Sequence, residues 1–492
     1  MYADLQGAFG REAHYRPPRF RPKDLVSPHA QVRLRVNGTE YPVIDISSTG
    51  AAILLRVEAS SPLSAVEERW PLNAPVDAEF VLHGRPVQRV SARAVRTEPG
   101  PRGVRVGLAF EGGFLDLEAA KRLDARFCLD QALSAGPRRG HASVPTQFRE
   151  AVGEAVYLAQ YFKRCLDPHE ADARAKGEQA VCDLAAEAYA SLAPAYADLR
   201  ERASRAAEQF MTEPSVLRAA KAYTETVLTP LLLASPMPER SYRKPLGYPG
   251  DYQVMLYYYA NAYEGPTAFA KLFHKLFVEH PLSAGVCTRK EFVVKCMHEA
   301  LARHHSLTPG ADFAVTSLGC GPAMEVASFV DARRSWEGRV RWRLIDQEPR
   351  TLQVAYEGAL RALCRAGGRT TVECLNLSFG QLLKQPQLFT RGGRQDFIYS
   401  TGLFDYLPKQ TAQALLVALY SCLTPGGELL VGNAVGPNHY FFCPEFVLDW
   451  NLTYRTKQEM FDLAACLPST AEVEVELEPG AAYWFLRVRK AH

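Results

Sequence analysis

The run Leu318-Gly319-Cys320-Gly321-Pro322-Ala323-Met324-Glu325 sets two glycines between an apolar β-like stretch and the start of a helical pattern. Glycine there lets a backbone come close to a nucleotide-like ligand. Asp346 ends the next β-like run, where a carboxylate accepts from both hydroxyls of a ribose held by that loop. What the loop lacks narrows the ligand. A pyrophosphate is held by successive N–H groups at a helix N-terminus, yet Pro322 deletes one donor and Ala323 stands where a dinucleotide loop has its third glycine. The loop also lacks the Gly-Lys-Ser/Thr ending that a triphosphate needs. A phosphate-free ligand carrying a sulfonium, S-adenosylmethionine, fits these choices best.

Methyl transfer is an in-line displacement, so a protein that performs it mainly positions a nucleophile and excludes water. A base matters only when the acceptor arrives protonated. Asp405, Tyr406, His439 and Tyr440 lie just beyond the fourth and fifth β-like runs, with Asp405 or His439 as proton acceptor and the tyrosines as walls. The segments Lys244-Pro-Leu-Gly-Tyr248-Pro-Gly-Asp251-Tyr252 and Asp449-Trp450-Asn-Leu-Thr-Tyr454-Arg455 gather aromatic and charged groups outside the core strands. Both are expected around the acceptor, with Tyr248, Asp251, Tyr252, Trp450 and Tyr454 touching it. A carboxylate acceptor is already ionised, and Arg243, Arg455 or a tyrosine hydroxyl would orient its oxygens, Arg455 first. The plainer reading of Trp450, Tyr454 and Arg455 is a helix packed over the sheet with a snorkelling arginine.

These groups need several elements to hold them. At 492 residues the chain exceeds one hydrophobic core, and three or four units are expected. The 57 basic and 54 acidic residues balance to +3, too little for the field that generic nucleic-acid binding uses, so no nucleic-acid partner is expected. The eleven cysteines form no Cys-x-x-Cys pair and read as buried thiols of a reducing compartment, with no metal site. Met1 to Arg21 lacks an apolar core and no run approaches a membrane span, so a cytoplasmic chain without a transmembrane segment is expected.

The periodicity divides the chain into a basic arm over 1–27, a small β unit over 28–115, a helical connector over 116–240, a helical acceptor-side segment over 241–305 and an α/β unit over 306–492. In the connector, Val152, Val156, Leu158 and Tyr161 are spaced to share a face. In the last unit, β-like runs at Phe313–Leu318, Val340–Ile345, Thr371–Leu375, Phe397–Ser400 and Glu428–Val431 alternate with helical stretches, which predicts parallel strands with crossover helices. Glu472-Val-Glu-Val-Glu-Leu-Glu and Tyr483-Trp-Phe-Leu-Arg-Val-Arg, joined through Pro479-Gly480, close it as a hairpin.

With loop, acid and hairpin together, residues 311 to 492 resemble a class I methyltransferase, whose Rossmann-like, doubly wound sheet has seven strands and an antiparallel strand near its C-terminal end. The resemblance implies that Gly319 and Gly321 flank the methionine moiety, that Asp346 binds the ribose, that Asn376 takes the adenine-facing place, and that Ser400 or Thr401 lines the pocket. Leu318, Cys320, Gln347 and Leu377 belong to the same implied site. Ser317 and Ala323 stand where the family often has an acid and a glycine. The acceptor segments resemble those of bacterial methyltransferases that make 3-hydroxypalmitic acid methyl ester, which implies a small-molecule or lipid-like acceptor. Residues 16 to 112 resemble a PilZ domain, a small antiparallel β-barrel receptor for cyclic di-GMP, through Asp45-Ile-Ser47-Ser-Thr-Gly50. The resemblance implies that Asp45, Ser47 and Gly50 meet the guanine, with Arg16, Arg19 and Arg21 on phosphates and bases. The family's two arginines are three residues apart; those of the arm are spaced otherwise.

The expected whole is therefore multidomain α/β plus β, an S-adenosylmethionine-dependent enzyme with cyclic di-GMP as regulatory ligand. Its rival is a non-catalytic cyclic di-GMP effector whose second half docks a partner. A methyltransferase acting on nucleic-acid bases ranks lower, since Ser400-Thr-Gly-Leu403 replaces the Asn/Asp-Pro-Pro-aromatic motif.

Overall fold

In the computed structural model the described residues are 19–27, 30–55, 70–100, 103–135, 143–332, 338–365, 370–385, 388, 393–436 and 438–491. They fall into two compact units divided between Arg139 and Gly140.

The first unit is a closed antiparallel barrel. Its strands are β1 (Val32–Val36), β2 (Thr39–Ser47), β3 (Gly50–Leu55), β4 (Pro75–Leu82), β5 (Arg85–Gly100) and β6 (Gly103–Glu111), in the order β1-β2-β3-β6-β5-β4. Alternation drives closure: Val32, Leu34 and Val36 point inward while Arg33 and Arg35 point out. Trp70, Phe80 and Val106 fill the interior with them. Helix α1 (Leu117–Ala135) is fastened to the barrel through Asp124, which accepts from the Ser27 amide (2.7 Å) and pairs with His83 Nε2 (2.7 Å).

The second unit carries a seven-stranded sheet of β7 (Phe313–Leu318), β8 (Val340–Asp346), β9 (Thr370–Asn376), β10 (Gln395–Ser400), β11 (Leu423–Ala434), β12 (Glu472–Leu477) and β13 (Tyr483–Arg489). The order across it is β9-β8-β7-β10-β11-β13-β12, with β7 to β11 parallel and β13 antiparallel to both neighbours. This is the doubly wound arrangement with a reversed strand near the end that the sequence predicts. Winding reverses between β7 and β10, and a ligand crevice belongs outside the carboxyl ends of those two strands.

A helical layer stands beside the sheet in the same unit. Helices α2 (Thr146–Ala175) and α3 (Glu178–Glu208) pack with α4 (Ala268–Val278) and the turn at 442–447 around one apolar cluster. On α2 the buried face is Phe148, Val152, Ala155, Ala159 and Leu166. Tyr161, expected on that face, is exposed, because the face advances by three and four residues from Phe148 and passes it by. The thiols differ from expectation as well: Cys128, Cys165, Cys364 and Cys466 are exposed, since all four lie on or just after helices, on faces turned to water.

The long helix α5 (Pro281–Leu307) lies close to β11 and β13 for two reasons. A Cβ on Gly285 would stand 2.6 Å from Ala482 Cβ and 2.8 Å from Tyr483 Cε2, so only glycine permits the approach. Farther along, buried Glu428 of β11 receives Arg487 Nε at 2.5 Å and also pairs with Arg303 of α5, which latches helix to sheet. Among the described residues no helix is long and apolar enough to cross a membrane.

Candidate functional site

A cavity of about 460 Å³ opens at the point where the winding reverses. That lies within the usual range for small-ligand sites, roughly 300–1,000 Å³. The turn after β7 forms one wall. Gly319 and Gly321 sit at φ +66° and +53°, a conformation glycine adopts without strain, and a Cβ on Gly321 would meet no heavy atom within 4 Å. The turn is thus an open cradle and is not dictated by packing. Ala323 shares the left-handed conformation at φ 50°, so the alanine in the third-glycine place carries backbone strain.

Asp346 ends β8 and is 7% exposed. Its Oδ2 accepts from the Gly321 amide (3.2 Å) and its Oδ1 from the Glu348 amide (3.1 Å), which aims the carboxylate along the cradle with lone pairs to spare. Burial raises its pKa against the pull of those amides. Leu318, Cys320, Gln347, Leu377, Phe379 and Thr401 also line the cavity. Asn376 does not line it: its amide donates to the Asp346 carbonyl (3.1 Å), a bracing role. Ser400 does not either, because its hydroxyl is bound to the Leu318 carbonyl (2.9 Å).

The facing wall comes from the helical layer and the loops after β10 and β11. Tyr248, Tyr252, Asp405, Tyr406 and Trp450 all line it, and Trp450 Nε1 donates to the Tyr406 hydroxyl (2.8 Å). A Cβ on Gly250 would lie 2.6 Å from the Trp450 ring, so that glycine lets the two acceptor segments touch. Lys244 donates to Asp449 (2.6 Å) and ties the same segments together. Asp405 is 4% exposed, accepts from the Ala434 amide (2.7 Å), and is pushed up to about 6 by burial, against Arg289 and Arg455.

Four expected residues do other work. Arg455 is buried with its guanidinium on the carbonyls of Phe404 (2.8 Å) and Leu407 (2.6 Å) and on the Asn433 side chain, so it braces the loop after β10 and offers an acceptor nothing. His439 is on the surface, paired with Glu208 at 2.7 Å. Asp251 caps helix 252–260 through the amides of Gln253 and Val254 and is paired with Arg240 (2.8 Å), which uses its charge structurally. Tyr454 packs between the two apolar clusters, away from the cavity.

Arg289, Tyr258, Tyr259, Glu325, His280 and Tyr483 also line the cavity. Glu325 ends the glycine-bearing run and Tyr483 opens the second arm of the closing hairpin, but neither was given a place in the site, and no motif marks Arg289 or His280. The tyrosine-rich stretch from Ser241 to Glu264 was the available signal for Tyr258 and Tyr259; Arg289 sits in an ordinary helical pattern.

On the barrel, the antiparallel bridge between Phe20 and Ile46 (2.8 Å in each direction) sets Phe20 beside β2 and brings Arg19 onto Asp45. Arg105 of β6 pairs with the other oxygen of Asp45. Ser47 donates to the Gly50 carbonyl (3.2 Å), and a Cβ on Gly50 would stand 2.5 Å from the Leu108 carbonyl. Arg21 is exposed just before the short helix Pro22–Leu25, and Arg16 lies outside the described residues.

A small arginine-fringed barrel and a doubly wound sheet with a ligand cavity at its switch point are the two classes that fold and site define. Residues 11–125 match the family model of the PilZ domain, so the chain carries a PilZ domain at its N-terminal side. No curated protein matches the chain. Among solved structures it is similar to a possible exported protein from Bordetella parapertussis, at 19% identity over 56% of this chain and 86% of that one, with a TM-score of 0.35. It is similar also to magnesium protoporphyrin IX methyltransferase from Synechocystis PCC 6803 with bound SAH (12% identity, 51% and 98% covered, TM-score 0.32). A third is an O-methyltransferase family protein from Burkholderia thailandensis (15% identity, 44% and 62% covered, TM-score 0.30).

Proposed function

We propose that the chain is an S-adenosylmethionine-dependent methyltransferase acting on a small-molecule or fatty-acid carboxylate, with cyclic di-GMP bound at the PilZ barrel as its regulator. One observation carries the catalytic reading: an open glycine cradle, a buried carboxylate aimed along it and an aromatic wall meet in a single cavity. These residues suit the cofactor. Asp346 keeps lone pairs for two ribose hydroxyls, Leu377 and Phe379 offer an apolar face to a base, and the cradle leaves room for the methionine part. When bound, the cofactor supplies a methyl group on a positive sulfur. The chain's own residues orient both partners and keep water out; an ionised acceptor needs no base.

A partner-docking module, the rival reading, has no use for an acid desolvated beside an open cradle. At the barrel, Asp45, Arg19 and Arg105 form a cluster in which a ligand's guanine edge and phosphates would exchange with the internal ion pairs.

The test is methyl-labelled S-adenosylmethionine incubated with the full chain and an extract of the source cells, followed by separation of lipid, small-molecule and protein fractions. Label in the lipid or small-acid fraction is expected, with a rate altered by cyclic di-GMP. Label confined to protein contradicts the acceptor class. Cyclic di-GMP binding with no transfer to any fraction favours the docking module.

A further inference from the structure

Arg289 lines the cavity, is 8% exposed, and has no carboxylate ion-paired with its guanidinium among the described residues. Its neighbours are the Tyr483 ring, 4.6 Å away, and the Met255 sulfur, 3.8 Å from Nη2. Asp405 and Glu325 act on it only at longer range. A buried cation without a close anion is costly, and structures retain one where a ligand completes it.

Its position is enforced. Arg289 lies one helical turn after Gly285, the residue whose missing side chain lets α5 press against Tyr483, so the same face that closes on the sheet delivers the guanidinium. Nη2 stands 3.4 Å from where a Cβ on Gly402 would be, in the loop after β10 that borders the cofactor cradle. Four other cations around the acceptor segments are occupied: Arg455 by carbonyls, Lys244 by Asp449, Arg240 by Asp251 and Arg243 by Glu239.

The same cavity is lined by Met237, Phe277, Val286 and Leu448, which belong to the apolar cluster of the helical layer. A cation at the crevice and a greasy wall behind it suit a molecule with one anionic end and an apolar body. We infer that Arg289 is the anchor for the acceptor's carboxylate and that the acceptor is an amphiphilic monocarboxylate whose chain lies along Met237, Phe277, Val286 and Leu448. This rests on the methyltransferase reading above and names the residue that selects its substrate class. In the transfer, a carboxylate oxygen forms the new O–C bond while the C–S bond breaks and its electron pair stays on sulfur. One negative and one positive charge vanish together, giving a neutral ester and a neutral thioether, and no proton moves.

The experiment titrates decanoate and decanol separately into the full-length wild type, Arg289→Gln and Arg289→Lys, each with and without saturating S-adenosylhomocysteine. Wild type is expected to bind decanoate more tightly than decanol. Arg289→Gln loses about ten- to a hundredfold in decanoate affinity with decanol unchanged, and Arg289→Lys recovers part of the loss. Decanoate binding that ignores the Gln substitution, or wild type that prefers decanol or binds neither, overturns the inference. A structural role alone would weaken both ligands equally and lower the melting temperature, which also counts against it. If wild type fails to bind S-adenosylhomocysteine, the methyltransferase reading falls, while the titrations without it still decide whether Arg289 holds carboxylates.

Discussion

The barrel and the sheet each present an aspartate and a glycine at their candidate site, and they use the two residues in opposite ways. On the barrel, Asp45 is already neutralised by the side chains of Arg19 and Arg105, and Gly50 is needed because the Leu108 carbonyl occupies the space a side chain would take. At the sheet, Asp346 is held by backbone amides alone, and Gly321 faces open volume. A glycine forced by packing and a glycine left open look identical as letters. Only the surroundings separate a joint filled by the protein's own atoms from an open cradle.

Asp405, in the sheet's cavity, should give a stability effect that depends on pH. Its folded value of about 6 lies above the ordinary 3.8. A raised acid favours the fold while protonated, so its contribution is full below about pH 4 and is lost as pH rises through about 6. Asp405→Asn keeps the acceptor for the Ala434 amide and removes the charge. It is expected to be more stable than wild type at neutral pH by about 1–3 kcal/mol, with the gap closing towards pH 4. Urea midpoints across that range check this; parallel curves for the two proteins would remove burial as the cause.

The two glycines sharpen the contrast directly. Gly50→Ala should destabilise the barrel by about 1–3 kcal/mol through overpacking against Leu108. Gly321→Ala meets no atom and should cost about 1–2 kcal/mol from its left-handed backbone, with a further loss of S-adenosylhomocysteine affinity. Thermal unfolding and ligand titration of both variants separate packing from cradle. If Gly50→Ala is silent in unfolding, the barrel glycine is as open as the other. Ala323→Gly runs the opposite way: relief of φ 50° should stabilise the sheet unit by about 1 kcal/mol, seen as a higher melting temperature. The smallest effect is expected from Arg19→Ala, below about 1 kcal/mol and shrinking with salt, because Arg19 is 43% exposed.

Much of the sheet was legible in advance because its parallel strands are short β-rich runs, two of them closed by Gly319 and Asp346, and because the first arm of the closing hairpin, Glu472–Leu477, alternates strictly. Leu318, Cys320, Gln347, Leu377 and Thr401, which line the cavity, sit within a few positions of strand ends, and so do Asn376 and Ser400, which are turned to bracing bonds instead. The acceptor wall was legible only as segments. Arg455 and Arg289 differ in what surrounds them: one is encircled by carbonyls of the loop it braces, the other is carried into the cavity by a glycine one turn earlier. Neither environment is written in neighbouring letters. His439 failed for a similar reason, because its partner Glu208 lies on a helix more than two hundred positions away. On the barrel, the arm's spacing gave no second motif arginine, and Arg105, which stands at Asp45 with Arg19, is 60 residues from it in sequence.

The central claim is that the cradle and Asp346 grip an adenosyl ligand. Calorimetric titration of S-adenosylhomocysteine into the full-length protein and its Asp346→Ala variant tests it most directly. Single-site binding by wild type, weakened about a hundredfold or more in the variant, is the predicted result. No binding by wild type, or equal binding by both proteins, would contradict it.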